Sequence, residues 1–161
     1  MIPQQLIEHI GKPLCKTVFP VERESIKRFA DAVGDNNPLY YDEPYARSSP
    51  YRTIIAPPGF ISSPWYWGDR SNSNDQKIKG IGGIIQALID AGYSQTIDSS
   101  IEYTFFQPVK AGDTITAEFR VRDIVERGKD GEKAVFLFTE TNYYNQEKTL
   151  VAVSRMTTTH R

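Results

Sequence analysis

The last third of the chain changes the spacing of its apolar residues, and that change restricts the fold more than any other feature. In TITAEFRVRDIV, Ile115, Ala117, Phe119 and Val121 alternate with Thr116, Glu118, Arg120 and Arg122. SSIEYTFFQ alternates Ile101, Tyr103 and Phe105 with Glu102 and Thr104. A period of two puts apolar side chains on one face of an extended chain, so both segments predict half-buried strands. KAVFLFTETNYY and TLVAVSRMTTT predict two more strands. The polar stretches RGKDGEK and NQEK are connections of hairpin length, and KAGD is a turn.

Four one-sided strands need something to cover their apolar face. The candidates lie earlier. PQQLIEHI places Leu6, Ile7 and Ile10 on one helical side, with Gly11 as its stop, and PLCKTVFPV reads as a short strand. ESIKRFADAVG puts Ile26, Phe29, Ala30 and Val33 at helical spacing, and Gly34 ends it. DEPYARSS predicts a helical turn. TIIAPPGFISSPWYW predicts a helix that begins at its paired prolines, which suit a first turn, and bends or ends at Pro64. DRSNSNDQKIKGIGG reads as an exposed loop, and GIIQALIDAGY as a short helix ended by Gly92. Helices followed by a run of strands indicate an α+β fold with an antiparallel sheet, in a single domain spanning residues 1–161. The strongest covering helices fall between residues 58 and 91.

The balance of 19 basic and 20 acidic residues, spread along the chain, excludes the basic excess of a nucleic-acid or anionic-lipid binder. The single cysteine, Cys15, excludes an internal disulfide and reads as a buried thiol among Leu14, Val18 and Phe19. With only two histidines, His9 and His160, a zinc centre is not expected, and no cofactor is implied. The N-terminal MIPQQLIEHIGK has neither the basic start nor the apolar run of a signal peptide, and no segment reaches the length of a membrane span. A cytoplasmic protein is the expectation.

Three pieces occurring in order, RFADAVGDNNPLYYDEPYA, IIAPPGF and FFQPVKAGDTITAEFRV, resemble the MaoC-like hydratases and dehydratases of acyl thioesters. APP before Gly59 looks most like the N-terminal dehydratase subfamily. The resemblance implies a hot-dog fold, in which a curved antiparallel sheet wraps a central helix. It also implies an acyl-thioester substrate on coenzyme A or acyl carrier protein, and assembly with the same or another hot-dog chain.

The resemblance sets roles for particular residues. Asp35 and Asn37 match the family's aspartate and asparagine. Five positions after the aspartate, active members carry a histidine; here the residue is Tyr40. Hydration of an enoyl thioester needs a base for water, a proton for the α-carbon and a donor for the enolate oxygen. A phenol, with a pKa near ~10, is a poor base at neutral pH beside an imidazole near ~6.5. His9 and His160 read as surface groups rather than replacements. Gly59 matches the position whose backbone N–H polarises the thioester carbonyl; alternatively, Pro57, Pro58 and Gly59 simply begin a helix.

Tyr41, Pro58, Phe60, Trp65 and Trp67 complete the expected substrate-binding set. The bulky run 60–67 either shapes the acyl pocket or serves as core or subunit contact. Arg47, Arg52, Arg70, Lys77 and Lys79 are candidate partners for coenzyme A phosphates. KGIGG lacks the ending of a phosphate loop. The expected function is a subunit of an enoyl-CoA hydratase or 3-hydroxyacyl-thioester dehydratase, beside a catalytic hot-dog partner. The alternatives are a self-sufficient homodimer using Asp35, a non-catalytic acyl-thioester binder, or a thioesterase.

Overall fold

The computed structural model describes residues 2–66, 80–129 and 133–161. Its elements are α1 (Gln4–Ile7), β1 (Pro13–Pro20), α2 (Arg23–Val33), α3 (Glu43–Ser48), α4 (Gly80–Asp90), β2 (Thr96–Phe105), β3 (Thr114–Arg127), β4 (Ala134–Tyr144) and β5 (Leu150–His160). Two 3₁₀ segments, Pro38–Tyr40 and Pro58–Tyr66, lie between α2 and α4.

The five strands form one antiparallel sheet in the order β1-β3-β4-β5-β2. The alternation in β3 is realised as expected: Ile115, Ala117, Phe119 and Val121 are all buried. Register shifts between Pro13 and Cys15, Asp98 and Ser100, Val121 and Asp123, and Tyr143 and Tyr144 mark bulges, which add twist and bend a sheet.

The covering layer comes in two parts. Toward one end, Ile26 and Ala30 of α2 and Phe60 and Ile61 of the second 3₁₀ segment pack with Ile115, Ala117, Tyr143 and Ala152. Toward the other, Ile84, Ala87 and Leu88 of α4 pack with Leu14, Phe119, Val121 and Leu137, and Leu6 of α1 joins them. Ile84 and Leu88 are fully shielded, each contributing about 1.5–3 kcal/mol of transfer free energy.

Several expectations are corrected. The segment beginning at the two prolines is a 3₁₀ helix, not an α-helix, and it runs through Pro64. Gly80–Gly83, expected in a loop, form the first turn of α4. Val33, expected on the buried face of α2, is 57% exposed in the last turn beside the Gly34 cap. Strand β2, expected to be half-buried, is the sheet edge: Ile97, Ile101 and Phe105 are 53%, 48% and 43% exposed. Among the described residues it pairs only with β5.

β4 is paired on both sides. Its Glu140 stands opposite Arg120 of β3 and Arg155 of β5 and is bonded by both. Arg122 lies 3.9 Å away, so three guanidinium groups neutralise one shielded carboxylate. Burial by itself would raise the Glu140 pKa, but the hydrogen bonds and charges of Arg120 and Arg155 outweigh it and hold the carboxyl below its usual range.

Candidate functional site

The loop after α2 is built from short local hydrogen bonds. Gly34 takes the left-handed conformation (φ 71°) that ends the helix, and the Asp35 N–H donates to the Ala30 carbonyl at 2.9 Å. The Asp35 Oδ1 then accepts from the Asn37 N–H at 3.1 Å, and the Asn37 Oδ1 accepts from the Leu39 N–H at 3.1 Å. Each side chain thus closes a turn on the backbone two residues on, and the second caps the 3₁₀ turn begun by Pro38. Asp35 remains half-buried, whereas Asn37 is exposed.

This loop sends its two tyrosines to different places. Tyr41 directs its hydroxyl to the Asp31 Oδ1 at 2.9 Å and the Asp35 carbonyl at 3.1 Å, tying the loop back to α2. Tyr40 enters the core with only 6% exposure. Burial pushes its phenol upward, and the Asp35 charge adds to the shift, outweighing the hydrogen bond from Asn37 that lowers it. Tyr40 therefore stays protonated near neutral pH and can donate a hydrogen bond, but it cannot accept a proton from water.

The Pro57–Gly59 turn is pinned from behind. The Ala56 N–H donates to the Val109 carbonyl at 2.8 Å and the Ala111 N–H to the Ile54 carbonyl at 3.0 Å, beside a bridge between Ile55 and Lys110. Neither proline has an N–H, so that of Gly59 is the first in the 3₁₀ segment. A Cβ on residue 59 would lie 3.2 Å from the Phe29 Cζ, which explains glycine there by close approach. Phe29 in turn meets Phe60 edge-on at 5.9 Å and 87°. Phe60 is 1% exposed and supports the turn from the core.

Two clefts flank this turn. One, of about 420 Å³, is lined by Asn37, Tyr40 and Pro58 with Tyr51, Phe105 and Phe106. The other, of about 400 Å³, is lined by Gly59, Ser62 and Phe29 with Ile101, Tyr103 and Met156. Asn37, Tyr40 and Pro58 therefore share one cleft, and Gly59 faces the other across the same turn. Asp35 borders Tyr40 electrostatically but lines neither cleft. Trp67, Arg70, Lys77 and Lys79, and the side chain of Trp65, lie outside the described residues. The Arg47 guanidinium bonds Glu43 at 2.6 Å, and Arg52 is an exposed residue at positive φ (62°).

His160 overturns the surface reading. It is fully buried at the end of β5, with Nδ1 3.1 Å from the Thr96 Oγ1 and Nε2 2.8 Å from the Thr158 Oγ1. Burial lowers its pKa, while the Asp98 charge opposes that shift. A chain end is expected to be exposed, but here pairing of the last β5 residues with β2 and β4 carries the imidazole inside. His9 lies just after α1, its Nδ1 2.6 Å from the Gln5 carbonyl. Neither ring reaches the clefts.

Sequence reasoning missed Ser62 and the hydroxyls around it. The Tyr103 hydroxyl donates to the Ser62 Oγ at 2.7 Å, the Tyr143 hydroxyl lies 3.4 Å from the same oxygen, and the Ser154 Oγ lies 3.2 Å from Tyr143. The four residues come from four distant stretches, so no local signal connects them. Among the described residues, no group of three or more His, Cys, Asp or Glu side chains could hold a metal ion, and no helix is long and apolar enough to cross a membrane.

Comparison with known proteins adds a family. The sequence model described as the FAS1-like dehydratase domain region matches residues 8–154. A UPF0336 protein of Streptomyces avermitilis is 31% identical over 66% of this chain and 63% of its own. A protein of Thermomonospora curvata named "probable enoyl-CoA hydratase alpha subunit" is 27% identical over 84% of this chain and 43% of its own. The chain thus spans less than two thirds of either relative. The crystal structure of the ChsH1-ChsH2 complex from Mycobacterium tuberculosis superposes with a TM-score of 0.72, covering 92% of this chain and 82% of that one at 23% identity, a likeness of fold.

Proposed function

Because the chain belongs to the FAS1-like dehydratase-region family of MaoC-like, hot-dog proteins, we propose that it is one subunit of an enoyl-thioester hydratase or 3-hydroxyacyl-thioester dehydratase, completed by a second hot-dog chain that carries the general base. The observation that carries this reading is position 40. The residue beside Asp35 is a buried phenol held protonated, and both histidines of the chain sit elsewhere.

The chemistry divides accordingly. In hydration, a base removes a proton from water, the water oxygen bonds the β-carbon, and the π electrons move onto the thioester oxygen. Protonation of the α-carbon then completes addition. This chain retains a candidate for the middle requirement. The Gly59 N–H, first in its 3₁₀ segment and held by a pinned turn, is suited to donate a hydrogen bond to the enolate oxygen, stabilising charge as it develops. Phe29, Ile101 and Met156 of the cleft shared with Gly59 would shape the space for the acyl group, and Tyr40 and Pro58 line the second cleft across the same turn. The partner would supply the aspartate and histidine pair.

The exposed edge supports assembly. Among the described residues, β2 pairs on one side only, with Ile97, Ile101 and Phe105 exposed. An uncovered apolar edge strand is an invitation to pair, and a second hot-dog sheet joined there would satisfy both. The relative named as an alpha subunit, and a fold neighbour solved as a two-protein complex, are consistent with this arrangement.

The test is reconstitution. The purified chain is assayed with short and long trans-2-enoyl-CoA substrates, alone and with a hot-dog protein carrying the family's Asp and His. Turnover only in the mixture, abolished when the partner's histidine becomes alanine, is the expected result. Turnover by this chain alone that Asp35→Asn removes would instead establish the homodimer. Binding of acyl-CoA with no turnover in any combination would establish a binding protein.

A further inference from the structure

Four hydroxyls join across the molecule: Tyr103 of β2, Ser62 of the 3₁₀ segment, Tyr143 of β4 and Ser154 of β5. Tyr143 and Ser154 are 1% and 6% exposed, whereas Ser62 and Tyr103 line the cleft shared with Gly59. Burying hydroxyls in an apolar core is unfavourable unless they are bonded, and phenylalanine and alanine would fill the same space without that requirement. The line of hydroxyls has a cleft end and a core end, and its geometry specifies what the cleft end can do.

The Tyr103 proton is directed to the Ser62 Oγ. The Ser62 proton is then directed either to Tyr143 or into the cleft, because either oxygen of the Ser62–Tyr143 contact can be the donor. The Tyr143–Ser154 contact is equally reversible. An acceptor entering the cleft can therefore take the Ser62 proton while Tyr143 and Ser154 turn to donate toward Ser62. The hydroxyls rearrange without moving a heavy atom, and the acceptor gains a donor already held in place from three strands.

Position along the segment says which acceptor. In a 3₁₀ helix, residues i and i+3 lie on the same side, at about 2.0 Å rise per residue, so Ser62 stands roughly 6 Å beyond Gly59 on one face. Both line the same cleft. With a thioester oxygen at Gly59, Ser62 meets the acyl group several carbons further along, between the apolar walls of Phe29, Ile101 and Met156. We propose that Ser62, supported by Tyr103 and Tyr143, is a specificity residue that binds an oxygen carried on the acyl group, so that the preferred substrates are oxygenated acyl thioesters rather than plain alkyl ones. This rests on the reading of Gly59 as the thioester end.

Equilibrium binding of hexanoyl-CoA and 5-oxohexanoyl-CoA to the full chain, by titration calorimetry, tests it. One neutral hydrogen bond corresponds to about threefold to tenfold in affinity, so wild type should hold the 5-oxo compound tighter by that factor. Ser62→Ala should abolish the preference, and Tyr103→Phe should weaken it. Equal affinities in wild type, a comparison that needs no variant, would overturn the inference and leave acyl-thioester binding standing. A preference that survives Ser62→Ala would do the same. Failure of both compounds to bind would overturn the thioester reading and this inference with it.

Discussion

Replacing Tyr40 by histidine asks whether the rest of the site is intact. The phenol is 6% exposed and packs in the core beside Ile55 and Ile61. An imidazole buries roughly 40–60 Å² less surface, which at about 25 cal/mol per Å² is about 1–1.5 kcal/mol. Loss of the hydrogen bond with Asn37 adds about 0.5–1.5 kcal/mol. For a chain of 161 residues, a destabilisation of about 1.5–3 kcal/mol lowers Tm by about 3–12 °C. On the chemical side, an imidazole, with an ordinary pKa near ~6.5, replaces a phenol held above its ordinary value near ~10. Burial, the larger influence at this site, raises a phenol but would lower an imidazole, and the Asp35 charge opposes that by favouring the protonated cation. Activity should therefore rise with pH through a limb at or below ~6.5. A positioned base contributes about 10²–10⁴-fold, so Tyr40→His should hydrate enoyl-CoA at least a hundredfold faster than Tyr40→Phe. Loss of the conjugated thioester absorbance follows the reaction, and circular dichroism and Tm verify the fold. A folded Tyr40→His no faster than Tyr40→Phe would refute the idea that only the base is missing.

Other consequences follow from burial and charge. Ile101→Lys at the exposed edge should leave the chain folded by circular dichroism but reduce its assembly in light scattering; an unchanged mass would remove β2 from the interface. Glu140→Ala leaves Arg120 and Arg155 without their shared carboxylate and should lower stability in urea melts by about 1–3 kcal/mol at pH 7, the range reduced because the guanidinium groups are half-exposed. Since the Glu140 pKa is depressed on folding, its contribution is present above the unfolded carboxylate value and is lost as pH falls through the lower folded one. Wild type should therefore lose more stability than Glu140→Gln between pH 7 and pH 3, and parallel losses would contradict this. Burial pushes the Cys15 thiol up to about 11, so iodoacetamide at pH 8 should modify it only on unfolding, and rapid labelling of the native chain would argue against a shielded thiol.

What was legible in the sequence was local. The alternation of Ile115, Ala117, Phe119 and Val121 predicted β3 and its buried face, since a strand's side-chain period is a backbone property. Gly34 signalled the end of α2 because only glycine takes the left-handed cap freely. Asp35 and Asn37 bond the backbone two residues on, as their side-chain length dictates. The exposure of Ile101 depended instead on which strand lies at the sheet edge, and the burial of His160 on what pairs with the final residues. The join between Ser62 and Tyr103 spans 41 positions, and that between Ser62 and Tyr143 spans 81. Residue order alone therefore determined the elements, their turns and the missing histidine. The edge, the two clefts and the line of hydroxyls exist only after folding, because each is a contact between segments that the chain keeps far apart.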